Sequence, residues 1–139
     1  MYFNTECISA FHKEKKIVFS LSFQISSGKF TKKKKKKKKI YVSNIMTELG
    51  QTDEYTLSDH IRTINEYVGN KIIDYCIYDT GEIIPEFIKK YNLKGSDVVL
   101  PDIQKAKDLG VRLVQRNLSK VEGDSIRHDS DVIASTIIQ

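Results

Sequence analysis

The sequence predicts an α/β fold: a mainly parallel sheet with flanking helices, built from about residue 40 onward. Three observations predict it. Short apolar runs of strand length (Ile40 to Ile45, Ile72 to Tyr78, Val111 to Val114) alternate with stretches whose apolar residues recur at helical spacing. Gly69, Gly81 and Gly110 fall between these runs, where a chain must turn. The first run empties into a polar loop and then a helix start, as open α/β sheets do where they present ligand groups.

Taken in order, Ile40 to Ile45 reads as a buried, central strand, and Asn44, Met46, Thr47, Gly50, Gln51, Thr52 and Asp53 as the loop after it. A helix opens at Thr56 or Ser58, with Leu57, Ile61, Ile64 and Val68 on one apolar face. Thr56 with Asp59 three residues on resembles a capping box with a shorter acid, and Gly69 stops the helix. Ile72 to Tyr78 is a second strand, ended by the turn Asp79-Thr80-Gly81. Pro85 suits the first turn of a helix whose Ile84, Phe87, Ile88 and Tyr91 are expected to face inward. Asn92 to Ser96 is a loop, Val98 to Leu100 a short strand, and Pro101 to Leu109 a short helix before Gly110. Val111 to Val114 follows as a strand and Ser119 to Ser125 as a polar loop. Asp129 or Ser130 caps a last helix carrying Val132, Ile133 and Ile137. About 100 residues of this kind support only a thin core.

Charge divides the chain near the same point. Residues 1–39 hold 12 lysines against Glu6 and Glu14, while residues 40–139 hold 11 Lys and Arg against 16 Asp and Glu. The net charge of +5 therefore averages a basic segment and a mildly acidic fold, and is not by itself a nucleic-acid footprint. Lys32 to Lys39 is an unbroken homopolymer. Such a block is a solvated linker or an electrostatic patch. A third reading is favoured: eight lysines imply a run of adenines, in which a reading frame slips, leaving residues 40–139 as a C-terminal fragment. No aromatic residue interrupts the run, so stacking on nucleic acid is not expected from it. Phe19 to Ile25 alternates apolar and polar like a half-buried strand, but has no neighbouring strand to join.

Other classes of site find little support. Cys7 and Cys76 stand far apart and make neither a disulfide framework nor a zinc site; Cys76, inside an apolar run, reads as a core residue. Asp59-His60 and Asp129-His128 are adjacent pairs, whose side chains diverge by about 100° on a helix, so structural hydrogen-bonded histidines are expected rather than a metal centre. No catalytic triad, paired catalytic carboxylates or glycine-rich phosphate loop is identifiable, and no apolar run approaches the roughly twenty residues of a membrane span.

The segment Asn44-Ile45-Met46-Thr47, Gly50-Gln51-Thr52-Asp53, Tyr55-Thr56 and Asp59-His60 resembles the YvcK/CofD family, its gluconeogenesis-factor branch in particular. The likeness runs through Thr80-Gly81-Glu82 and Lys90-Tyr91 to Ile126-Arg127-His128-Asp129, over about residues 40 to 139. It implies a Rossmann-like sheet, incomplete here because the family begins with a glycine-rich phosphate unit. It also implies a UDP-sugar as ligand, a regulatory link between carbon metabolism and cell-wall synthesis or cell shape, and a cytoplasmic location. The sister branch, 2-phospho-L-lactate transferase, is the alternative; a basic nucleic-acid module through the lysine run is the third. Glu54 stands where the family commonly has glycine and Asp79 where asparagine is frequent. Both add negative charge beside an anion site, so weak binding is expected.

The candidate ligand residues are Asn44, Thr47, Thr52, Asp53, Tyr91 and Arg127. Asn44 and Thr47 suit base, ribose or sugar hydroxyls, although Asn44 equally suits capping of its own loop. Thr52 and Asp53 suit sugar hydroxyls or the helix start, and Tyr91 suits ring stacking or core packing. Arg127, in an expected turn before the last helix, suits a bidentate grip on a diphosphate. No catalytic residue, metal ligand or firm cofactor is expected; the expected partner is a small nucleotide sugar, with self-association and no membrane. The charge block and the lack of a foldable pattern predict that limited proteolysis strips residues 1–39 and leaves a core beginning near Ile40. Protection of a fragment retaining Phe19 to Ile25 would overturn this.

Overall fold

The computed structural model describes residues 38–138; the expectations for Phe19 to Ile25 and for most of the lysine run lie outside them. In chain order the elements are β1 (Ile40–Val42), α1 (Leu57–Val68), β2 (Tyr75–Asp79), α2 (Pro85–Asn92), α3 (Ile103–Asp108), β3 (Arg112–Arg116), β4 (Ser119–Glu122), β5 (Ser125–His128) and α4 (Ser130–Ile138). The strands β1, β2 and β3 form one parallel sheet in that order, with Ile40 beside Tyr75 and Tyr75 beside Arg112. Parallel pairing and covering helices confirm the α/β class read from the sequence.

Alternation along each strand sends side chains into two layers. Tyr41, Cys76 and Tyr78 meet Leu57, Ile61 and Ile64 of α1 and Ala106 of α3 on one face. Val42 and Ile77 meet Leu118 on the other, where half-buried Ile40, Val114, Val132, Ile133 and Ile137 close the layer. Burial pushes the Cys76 thiol up to about 12, so it behaves as a small apolar core group. None of the helices described is long and apolar enough to cross a membrane.

The limits of α1 follow from its caps. Thr56 is extended, and the Asp59 carboxylate accepts its N–H at 3.0 Å and lies 2.8 Å from its hydroxyl. At the other end Gly69 takes the left-handed conformation (φ 77°), which lets Asn70 N–H bond back to Asn65 C=O. Asp102, just before α3, fastens the two helices together. Its carboxylate accepts the Ser58 N–H at 2.8 Å and the Ser58 hydroxyl at 2.5 Å, with the Thr56 hydroxyl 2.9 Å away.

Four expectations need correction. β1 stops at Val42 rather than Ile45, because the backbone then leaves β2 for the later loop: Ile45 C=O accepts the Val99 N–H, and Met46 pairs antiparallel with Val98. Val98 to Leu100 is thus a bridge to that loop and not a sheet strand. Ser119 to Ser125 is not a loop but most of the hairpin β4–β5, with Glu122 opposite Ser125. Finally, no residue of α2 is buried and Ile84 is 51% exposed, so its apolar stripe only half-covers itself against neighbouring elements.

Asp102 carries a pH prediction. Burial raises its pKa, but bonds from the Ser58 hydroxyl, the Ser58 N–H and the Thr56 hydroxyl outweigh that and lower it below 3.8; Asp59 is lowered by the Thr56 N–H and hydroxyl. A carboxylate depressed in the folded state stabilises above its unfolded pKa and loses that stabilisation as pH falls through the folded value. Urea melts should therefore show constant stability from neutral pH to about 5, then a decline below the ordinary carboxylate value of about 4. Asp102→Ala should cost roughly 1.5–3 kcal/mol at pH 7 and flatten the acid decline. An unchanged midpoint would refute the role given to Asp102.

Candidate functional site

The three parallel strands end at Ser43-Asn44, Asp79-Thr80-Gly81 and Arg116-Asn117-Leu118, and one side chain ties the last two together. Asp79 Oδ1 accepts the backbone N–H of Gly81 at 3.1 Å, of Leu118 at 2.6 Å and of Ser119 at 3.0 Å. A Cβ on Gly81 would stand 2.0 Å from Ser119 Oγ and 2.5 Å from Asn117 Oδ1, so a side chain there would have to displace both polar side-chain ends. The acid that the sequence reading counted as charge facing a ligand is turned inward, its Oδ1 surrounded by amide hydrogens.

Leu118, fully buried, plants the base of the hairpin. Asp129 N–H donates to Leu118 C=O at 2.7 Å, while Asp129 Oδ1 accepts from Asp131 and Val132 N–H and so caps α4. His128 Nε2 lies 2.9 Å from Ser43 C=O; a carbonyl only accepts, so Nε2 carries the proton. Ile126 N–H donates to the Tyr91 hydroxyl at 3.0 Å, and Lys90 pairs with the Asp124 carboxylate and donates to its carbonyl. The hairpin is thereby held to β1 at one point and to α2 at two. Asp124, fully exposed, has its pKa lowered chiefly by the Lys90 hydrogen bond.

Arg127 lies between those anchors. It is on strand β5, not in a turn, and stands opposite Lys120 in the antiparallel register. Among the described residues no carboxylate pairs with it, and it is exposed. Lys120 is 3.4 Å from Glu122, its own strand neighbour two residues on. Like charges directly opposite on a hairpin repel, and the Glu122 carboxylate beside Lys120 offsets part of that repulsion.

Asn44 follows the Ser43 that holds His128, and Tyr91 holds Ile126; alternation along β5 puts the exposed Arg127 side chain on the opposite face of that strand from half-buried Ile126 and His128. Tyr91 is half-buried with its hydroxyl engaged, which favours a structural share in its role. The loop residues are already committed to backbone. Thr47, buried, accepts the Asp97 N–H at 2.8 Å through its hydroxyl, and Thr52, buried, accepts the Glu48 N–H at 2.8 Å. Asp53 accepts the Gly50 N–H at 2.8 Å and is otherwise exposed. Next to it Glu54 adopts φ 58°, the left-handed region that disfavours a side chain. A glycine would meet this backbone demand without a Cβ, and Glu54 bears conformational strain as well as charge.

His60 Nδ1 lies 2.9 Å from Thr56 C=O, so His60 and His128 each hydrogen-bond to a main-chain carbonyl. No group of three or more metal-ligating side chains occurs among the described residues. The sequence reading missed the clasp at Asp79, the Gly81–Ser119 approach and Lys120. Only the hairpin left a signal: Gly123-Asp124, a two-residue turn between two four-residue strands, with φ 55° at Gly123.

Comparison with known proteins is consistent with this architecture. The family described as 2-phospho-L-lactate transferase CofD matches residues 29–119, beginning inside the amino-terminal segment and taking in the lysine run. A Clostridium acetobutylicum homologue of the gluconeogenesis-factor type is 40% identical over 101 residues, 73% of this chain and 22% of its own length. The gluconeogenesis factor of Bacillus subtilis is 31% identical over 100 residues, 72% of this chain and 32% of its own. The crystal structure of a UPF0052-family protein from Bacillus halodurans superposes with a TM-score of 0.71 at 31% identity, over 77% of this chain and 34% of that one. The chain thus spans between about a fifth and a third of the relatives it matches.

The Asp79 clasp predicts an asymmetry between two substitutions. Because a single oxygen accepts all three N–H groups, Asp79→Asn keeps the acceptor and should leave stability within about 0.5–1 kcal/mol of the parent. Asp79→Ala leaves those donors unsatisfied and should cost about 2–4 kcal/mol. Thermal and urea melts of the two variants check this, and equal losses would show that the charge, not the acceptor, matters.

Proposed function

The chain belongs to the CofD family, and from that membership we propose that it is the nucleotide-sugar-facing C-terminal part of a gluconeogenesis-factor-type protein. In this reading it is a cytoplasmic, non-catalytic binding protein whose ligand is a UDP-sugar, and through which carbon metabolism is coupled to cell-wall synthesis and cell shape. The observation that carries it is Arg127: an exposed guanidinium with no carboxylate partner among the described residues, on a hairpin fastened beside the ends of the parallel strands. A guanidinium matches a diphosphate with two parallel N–H···O bonds. In this reading Asn44, two residues past β1, and the half-buried ring of Tyr91 serve the ribose, sugar or base. Thr47 and Thr52 act by shaping the loop. Because the chain carries no glycine-rich phosphate loop, binding by it alone is expected to be weak.

The family's name supports the competing reading, a transferase acting on a deazaflavin precursor. Thermal shift separates the two when run on the chain joined to the glycine-rich unit that its resemblance implies. Stabilisation by UDP-N-acetylglucosamine and not by GDP with the deazaflavin supports the binding protein; the reverse pattern supports the enzyme. In the same protein Arg127→Ala should remove charge-assisted bonds worth roughly 1.5–3 kcal/mol, or about one to two orders of magnitude in affinity. Arg127→Lys should recover only part, because lysine retains the charge and loses the fork. Calorimetric titration of the three proteins with a UDP-sugar reads this directly, and equal affinities would return Arg127 to the surface.

A further inference from the structure

The outward side of α2 has no part in the nucleotide-sugar reading and is independent of it. Lys90 and Tyr91 of this helix reach the hairpin. That leaves Pro85, Ile88, Lys89, Asn92 and Leu93, at the three- and four-residue spacing of one helix face, lining an open groove. Ile84, just before the helix, is 51% exposed, and Leu93 at its end is 82% exposed. Leu49 carries the apolar surface past the helix: its methyl carbons lie 2.8 and 3.0 Å from where a Cβ on Gly95 would stand, and the side chain is otherwise exposed. A contiguous exposed apolar surface rimmed by charge is the usual mark of a protein contact.

The charges on this face say what fits it. Glu82 and Glu86 stand at the amino end of α2 and Lys89 and Lys94 at the carboxyl end, and all four are exposed. A helix that is acidic at one end and basic at the other is complementary to itself when reversed. A twofold axis across the middle of α2 sets Glu86 of each copy against Lys89 of the other and lays Ile84 over Leu93. It also opposes the two helix dipoles. Such a contact is isologous, the same patch serving both partners. We propose that the groove of α2 is filled by α2 of a second copy of this chain, packed antiparallel. Eight helical residues span only about 12 Å, so the contact falls short of the roughly 800 Å² per partner of a stable interface. The dimer is therefore weak and depends on concentration.

Sedimentation equilibrium of the intact chain between about 10 and 500 µM tests it. The weight-average mass should climb from that of the 16.0 kDa monomer toward twice that value. Leu93→Glu changes an exposed side chain, so it should melt as the parent does while its association weakens at least about tenfold. Glu86→Lys and Lys89→Glu should each stay monomeric, because each sets like charges together at both ends of the contact. Mixed in equal amounts, these two variants should associate about as tightly as the parent, since the lysines of one meet the glutamates of the other. If Leu93→Glu fails to melt cooperatively, the charge-swapped pair decides alone. Three outcomes overturn the proposal. A parent monomeric throughout leaves the groove to another segment of a longer chain. Folded variants that associate like the parent place the contact on another surface, such as a sheet edge. A mixture no more associated than its components removes the twofold pairing of Glu86 with Lys89.

Discussion

One carboxylate oxygen, Asp79 Oδ1, sets the arrangement on which the rest of the described fold depends. Three backbone N–H groups converge on it, one from its own turn and two from the segment leaving β3. Those donors lie where strands end, and a strand end exposes main-chain groups with no ladder partner. By satisfying them, Asp79 fixes Leu118 beneath the sheet, and Leu118 fixes everything after it. The hairpin begins at the next residue, and the hairpin's last residue is followed by Asp129, whose N–H returns to the Leu118 carbonyl. The Asp79 clasp thus sets where the hairpin and the helix that covers one face of the sheet begin, and the bonds at His128, Tyr91 and Lys90 hold the hairpin further along.

A second carboxylate performs the same task for the other face. Asp102 fastens the start of α1 to the start of α3, and these helices jointly cover Tyr41, Cys76 and Tyr78. The thin core cannot specify helix positions by packing alone, because few side chains are fully buried: Leu57, Ile61, Leu118, Cys76 and Ser43 are the largest. Directional bonds to charged acceptors, roughly twice as strong as neutral ones, supply the missing definition. For Asp102 the acid-side loss of stability is the corollary of that choice.

How much of this could be read in the sequence depended on whether an element announces itself through apolar periodicity. α1 did: Leu57, Ile61 and Ile64 of its expected inward face, its Thr56–Asp59 cap and its Gly69 stop stand as read, because cap, stripe and terminator are local, while Val68, expected on the same face, is exposed in the last turn. The class of fold followed from the same signal. The hairpin was lost because Ser119 to His128 shows no clean alternation and only a modest turn signal at Gly123-Asp124. Losing it misplaced Arg127 in a turn and hid Lys120 opposite it. α2 failed in the other direction, since a correct apolar stripe says nothing about whether another element covers it. Among the site residues, Thr47 and Thr52 looked available because sequence cannot show that Asp97 and Glu48 amides reach their hydroxyls. Glu54 read as a charge, while its positive φ is a property of the folded backbone.

The same geometry bears on how Arg127 can act. An arginine on an isolated hairpin is a poor anion receptor, since ordering a long side chain and two marginal strands costs more than one exposed contact returns. Here the ordering is completed on folding. His128 holds one end of β5 to the Ser43 carbonyl, the Tyr91 hydroxyl holds Ile126, and Lys90 grips Asp124 at the turn. Arg127 is flanked on both sides by residues already fixed, so any contact it makes need order only the side chain itself. Lys120 across the strand pair raises the local potential without competing for the fork geometry. Tyr91 and His128 thus position Arg127, because each fixes the strand on which the guanidinium rides.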